Sequence, residues 1–291
     1  MGASPMQSFL ESAPQWILNL PENIKEIFYL IYKCFIFKDR YEMFLEGWVN
    51  TLTLTARALL LGIILGIVVA LIRASWDKNH THMRGIVKFF MGIGNAVCKV
   101  YVTVIRGTPV VVQLLIWWFV VFSGSRDGIG IAAFAFGINS GAYVAEIIRG
   151  GIMSVDPGQM EAGRSLGFGY VATMWHIVLP QAFKAILPAL ANEFIVLLKE
   201  TAVAGYVAVM DLTYAGNTVG GVAFEYLFPL LMTAIIYLVM VMFFTSLVQK
   251  LERRLRNSER SCHHFRKRPP QAFWQRFHQG CGRCHHRHPR G

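Results

Sequence analysis

Charged and amide side chains inside apolar runs are the first candidates for chemistry in this chain. Arg57, Glu146 and Glu193, with Asn192 beside it, all fall within long hydrophobic stretches. A charge in a lipid-facing segment is costly, so such residues face an interior, a partner or a polar solute. Arg57 has the chemistry to meet a carboxylate, and Glu193 with Asn192 an amino group. Glu146 stands three residues before Arg149, the spacing of an ion pair on one helix face. Pairing or snorkelling within the fold is the structural alternative for all three charges. A second cluster is the interruption "EAGRSLGFGYVATMWHIVLPQA", Glu161 to Ala182, between two apolar runs. A third is the tail from Asn257, where Cys281-x-x-Cys284 precedes His285, His286 and His288. Those are zinc-type ligands, but Cys262-His263 gives only a loose second pair where a compact zinc module needs regular spacing. No glycine-rich loop ending in Gly-Lys-Ser/Thr is present, and no His/Asp, Ser-His or metal-ligand cluster falls at one depth, so a nucleotide-hydrolysing or other enzymatic role is not expected of this chain.

The elements that must hold these residues are membrane helices. Of 291 residues, 54% are hydrophobic and 15% charged, well short of the quarter or so charged in soluble domains. Five spans are expected: Trp48 to Leu71, about Val110 to Phe122, Ile131 to Ile148, about Ala182 to Leu198, and Leu227 to Val248. Tyr101 to Ile105 extends the second, and Thr108-Pro109 kinks it. Gly62 and Gly66 form a small-xxx-small pair in the first. In the third, Asn139, Ser140 and Gly141 pack or hydrogen-bond to a neighbour. Lys and Arg crowd the connections after spans one, three and five, which places those on the cytoplasmic side, the N-terminus outside and the C-terminus inside. The apolar run Ile27 to Phe37, interrupted by Lys33, is too short to span and reads as an interfacial helix; a sixth span is the alternative.

The Glu161 interruption then faces the cytoplasm. Asp156 is an N-cap, Pro157 suits the first helical position, and Gln159 is placed as a capping-box partner. Gly167 and Gly169 break the helix, and a second short helix follows from Tyr170 towards Pro180. Ala162 and Gly163 leave a shallow face beside Glu161, suited to a groove on another protein.

This loop resembles the EAA signature of permease subunits in binding-protein-dependent ATP-binding-cassette importers. Glu161, Ala162, Gly163, Gly167, Ile177, Leu179 and Pro180 match at the family's spacing, with Gly163 where the family prefers Ala. "GWVNTLTLT", "IRGTPVVVQLL", "NSGAYVAEIIRGGI" and "LPQAFKAILPALANEFIVLLKETAV" resemble the polar amino-acid branch, covering about 47–256. The resemblance implies an all-helical permease with five transmembrane helices and a cytoplasmic coupling helix in the loop between spans three and four. It further implies a second permease subunit, identical or paralogous, a cytosolic ATPase that holds ATP and Mg so that this chain binds no cofactor, and an extracytoplasmic amino-acid-binding protein. The implied location is the bacterial inner membrane. Domain organisation follows: 1–46 as an extracytoplasmic or interfacial segment, 47–256 as the permease domain with the EAA loop at 150–180, and 257–291 as a basic appendage outside the resemblance, disordered or read from a shifted frame. That appendage carries eight Lys or Arg against Glu259 alone. An ion-coupled secondary transporter is the alternative class. It predicts inverted repeats around midplane carboxylates, into which five spans do not divide.

Overall fold

The computed structural model describes residues 5–19, 21–80 and 84–266. Among these the chain is helical, with no strand. It forms two compact units, Met1–Thr245 and Ser246–Gly291. The first contains the helices α1 (Pro5–Ser12), α2 (Gln15–Leu18), α3 (Glu22–Ile31), α4 (Tyr41–Asn79), α5 (Gly85–Gly107), α6 (Val110–Ile116), α7 (Gly128–Met153), α8 (Pro157–Ser165), α9 (Tyr170–Thr173), α10 (Leu179–Glu200) and α11 (Leu212–Ala223); α12 (Leu227–Arg266) begins in it. The expectations for 267–291, including the Cys281–Cys284 pair, lie outside the described residues. So do those for the side chains from 256 on.

The core is the parallel pair α4 and α7. Glycine sets how closely they approach. A Cβ on Gly62 would lie 3.1 Å from Ser140 Cβ, and one on Gly66 2.7 Å from Val144 Cβ. Gly137 and Gly141 face Leu61 and Leu65 in return. The small-xxx-small pair of the sequence is thus half of a seam with glycine on both sides. α7 is the most enclosed long helix, with Phe136, Ala142 and Val144 fully buried.

Five helical runs are long and apolar enough to cross a membrane: Tyr41–Asp77, Gly85–Gly107, Gly128–Met153, Tyr170–Val207 and Leu227–Leu255. This corrects the reading of the second crossing. Residues 85–107 form a helix, not a connection, while Val110–Val121 is a shorter apolar helix. Contacts show how the two share one traverse. Gly92 lies against Trp76, Gly94 against Ile72 and Cys98 in the cluster with Val69, so α5 runs antiparallel to α4. Beyond the break α6 continues in that sense along α7: Gln113 meets Asn139, and Trp117 packs edge-on to Phe134 at 5.0 Å. Only Thr108 and Pro109, both extended, separate the two helices.

The helix that carries the first crossing, α4, starts at Tyr41, inside the segment 1–46. α3 and the wider turn Tyr32–Ile36 precede it, and the chain reverses at Lys38 and Asp39, both with positive φ. α11 docks on the first half of α4. Asn50 donates to the Met210 carbonyl at 3.0 Å, Leu212 N–H donates to Thr51 Oγ1 at 3.1 Å, and Gly47 leaves room for Leu212 and Ala215. Fully buried Asp211 caps α11, accepting from the Thr213 and Tyr214 N–H groups. Burial pushes its carboxyl above the ordinary value, against the downward pull of those two bonds.

Candidate functional site

Two groups of residues stand out. The first is the hairpin of α8 and the run that opens with α9. Asp156 caps α8 by accepting from Gly158 N–H at 2.8 Å, with Pro157 at the first turn. No capping box forms. Gln159 Oε1 instead accepts from Gln181 Nε2 at 3.3 Å, tying α8 to the start of α10. Gly167 makes the elbow at φ +84°, a left-handed conformation that glycine adopts without cost. Phe168 N–H reaches back to the Gly163 carbonyl at 3.0 Å, closing the C-terminus of α8.

The expected second short helix is not separate. From Tyr170 the chain stays helical through a wider turn, Met174–Val178, directly into α10. Pro180 explains that turn: it lacks an N–H and its ring crowds the carbonyl one turn earlier, and a π-type widening relieves both. Ile177, Leu179 and Pro180 therefore form the root of the returning arm, while Glu161 and Ala162 lie exposed on α8.

Gly163 departs from the expected exposed face. It is buried, turned inward against Thr173, and a Cβ there would lie 2.7 Å from Thr173 Oγ1. The glycine in place of alanine thus lets α8 pack on the returning arm. The sequence reading missed what the hairpin presents instead: Leu166, Val171 and Trp175 are 75%, 77% and 69% exposed. These are large apolar groups on a polar hairpin. The signal available was their crowding around the two glycines.

The second group lies among the membrane helices, and it separates the four intramembrane residues. Glu146 of α7 joins Arg73 of α4, accepts from Arg149 Nε and Nη2 at 3.2 Å each, and has Arg106 of α5 at 3.9 Å. Arg149 also reaches Asp77 at 3.3 Å. Arg106 lies over the Tyr143 ring at 5.1 Å. The pair Glu146–Arg149 is therefore one edge of a network that ties three helices together. Glu193 is buried on α10 and accepts from Ser140 Oγ of α7 at 3.0 Å. Next to it Asn139 donates to Gln113 Oε1 at 3.0 Å. Gln113 Nε2 in turn donates to the carbonyls of Ile105 and Thr108, at 2.8 and 3.1 Å, and to Thr108 Oγ1 at 2.8 Å. A line of polar contacts thus crosses from α10 through α7 to the α5–α6 break. Asn192 is exposed, as is Arg57, which faces outward from α4 and joins neither Glu193 nor Glu146.

Among the described residues no three His, Cys, Asp or Glu side chains gather as a metal-binding group.

Comparison with known proteins agrees with this architecture. Residues 62–257 match the family described as binding-protein-dependent transport system inner membrane component. The arginine transport system permease protein ArtQ of Bacillus subtilis (strain 168) is 36% identical over 218 residues, covering 74% of this chain and 93% of that protein. The L-cystine transport system permease protein TcyB of the same organism is 36% identical over 212 residues, covering 72% and 85%. Among solved structures, an amino acid ABC transporter crystallised with histidines is 40% identical with a TM-score of 0.65, covering 74% of this chain and 94% of that one. The MetNI methionine ABC transporter, 18% identical with a TM-score of 0.62, shares the fold. With the family matched over most of its length and the same helical architecture, the chain belongs to the inner membrane components of binding-protein-dependent transport systems.

Proposed function

We propose that this chain is the permease subunit of an ATP-driven importer and carries a polar amino acid across the cytoplasmic membrane. It works with a second permease subunit, a cytosolic ATPase and an extracytoplasmic binding protein. The relatives transport arginine and cystine by name, which supports an amino-acid substrate. The observation that carries the coupling role is the hairpin. A rigid elbow at Gly167 presents Glu161 and the exposed side chains of Leu166, Val171 and Trp175 on one short, capped unit. Exposed apolar groups beside a charge are what a groove on a soluble partner buries.

In this reading the hairpin is cytoplasmic, the N-terminus is outside and the C-terminus inside, consistent with Lys and Arg around the hairpin side of the helices. Glu161, Ala162, Gly163, Gly167, Ile177, Leu179 and Pro180 form the coupling unit. The ATPase holds ATP and Mg, hydrolysis is its work, and this chain binds no cofactor. When the ATPase closes, its groove shifts the hairpin and α7 with it, since only Ser154–Asp156 separate α7 from α8. Among the membrane residues, Arg57, Asn192 and Glu193 are assigned to the solute pathway. Glu146 is assigned to the ion network.

Co-purification from membranes tests the reading. Wild-type protein brings down an ATPase subunit and a binding protein, and Glu161→Lys keeps its fold but hydrolyses ATP without uptake. Full uptake by Glu161→Lys refutes the coupling role.

A further inference from the structure

The second crossing is the only one of the five in which two extended residues separate its helices among the described residues. The break lies level with Asn139, which is 11 residues from the start of α7 and 14 from its end, near the middle of that helix. Non-helical backbone at such a depth must have its polar groups satisfied by the protein itself. Here the work falls on two side chains. Gln113 Nε2 serves the carbonyls of Ile105 and Thr108, and Thr108 Oγ1 serves the Val104 carbonyl at 2.9 Å.

We propose that the Gly107–Pro109 break is the flexing point of the second crossing during transport, and that Gln113 is the positioning residue that sets its angle. The proposal rests on the transport reading above. Four features carry it. First, side-chain donors replace the backbone ladder at the break, and they can exchange partners without shifting helix register. Second, the break is not locked by packing, since a Cβ on Gly107 would meet nothing within 4 Å. Third, α4 and α7 are joined along a glycine seam and move as one body, so α5 and α6 bend against that pair. Fourth, α7 holds the break from both sides. Asn139 grips Gln113 on α6, and Glu146 faces Arg106 at the end of α5. The grip on Arg106 is the looser: 3.9 Å, on a side chain 43% exposed, against 3.0 Å between the buried side chains of Asn139 and Gln113. A displacement of α7 by the hairpin therefore reaches α6 through Asn139 and Gln113, while Arg106 slides over Tyr143.

Gln113→Leu removes every side-chain bond from this position to the break. Gln113→Glu keeps the acceptor for Asn139 and removes the donors. Gly107→Ala/Pro109→Ala restores helix-forming residues and leaves Gln113 intact. Each is measured in the reconstituted complex with its ATPase and binding protein, for solute uptake, ATP hydrolysed and solute KM. Both Gln113 variants are expected to lower uptake per ATP by at least about fivefold, with KM and basal ATP hydrolysis within about twofold of wild type, the size of a typical coupling energy. The double variant is expected to slow stimulated turnover by at least about fivefold with the complex intact. Wild-type uptake per ATP in Gln113→Glu overturns the positioning role. If the Gln113 variants do not assemble, unchanged turnover in the double variant overturns the flexing point. Absence of uptake by the wild-type complex itself refutes the transport reading instead.

Discussion

Truncating Glu146 to alanine removes the hub of the ion network. In the wild type it binds Arg73 and Arg149 directly and faces Arg106. After truncation Arg149 keeps Asp77 at 3.3 Å, while Arg73, whose side chain is 16% exposed, loses its carboxylate. Breaking a fully buried pair from one side costs about 3–5 kcal/mol, and the partial exposure here reduces that. A loss of about 3 kcal/mol is expected, roughly two decades in the unfolding equilibrium. At about 2–4 °C per kcal/mol for a domain of this size, the melting midpoint in detergent falls by roughly 6–12 °C. Single arginine replacements follow exposure: Arg73→Gln costs most, Arg149→Gln less, and Arg106→Gln under about 1 kcal/mol, as expected of an exposed pair. The assay is a thermal unfolding curve in one detergent and at one salt concentration. A Glu146→Ala midpoint within 2 °C of wild type, taken as about 1 kcal/mol, or an Arg106 effect larger than that of Arg73, refutes the reasoning.

Gly163→Ala drives a methyl into Thr173, so ATPase capture in a pulldown falls; Thr173→Ala on the same background restores it, and capture by the single variant equal to wild type would show that the hairpin opens freely. Asp211→Ala removes a buried cap and its two backbone bonds, costing about 2 kcal/mol, seen as a lower midpoint in the same melt and as faster hydrogen exchange at Thr213 and Tyr214.

How far the sequence led depended on what each stretch advertises. α4 and α12 carry dense apolar runs, and their crossings were plain. Asp156-Pro157 and Gly167 marked the hairpin because caps and positive-φ positions are written in residue type. α5 was not legible: Lys88, Lys99 and Arg106 dilute it, its glycines interrupt it, and its best window has a mean hydropathy of only 1.3. With α5 taken as a connection, the arginines of the Glu146 network had no common location, and only the local Glu146–Arg149 spacing showed. Gln113 sat inside an apolar run with no partner in view. Its importance arises from the break four to six residues behind it and from Asn139, brought alongside by folding. Gly163 presented the opposite problem: a small residue reads equally well as open surface or as close packing, and Thr173 decides between them.

Gln113 also bears on how the chain enters the bilayer. Val110–Val121 is some 18 Å long at ~1.5 Å per residue, too short to be accepted alone by a hydrocarbon layer about 30 Å thick. Its amide bonds to Ile105 and Thr108, which are synthesised before it and lie within eight residues. The interruption therefore supplies its own solvation as the segment emerges, before Asn139 has been made. α5 and the shorter helix after it can partition as one unit during biosynthesis, and α7 needs only to join a traverse already at peace with lipid.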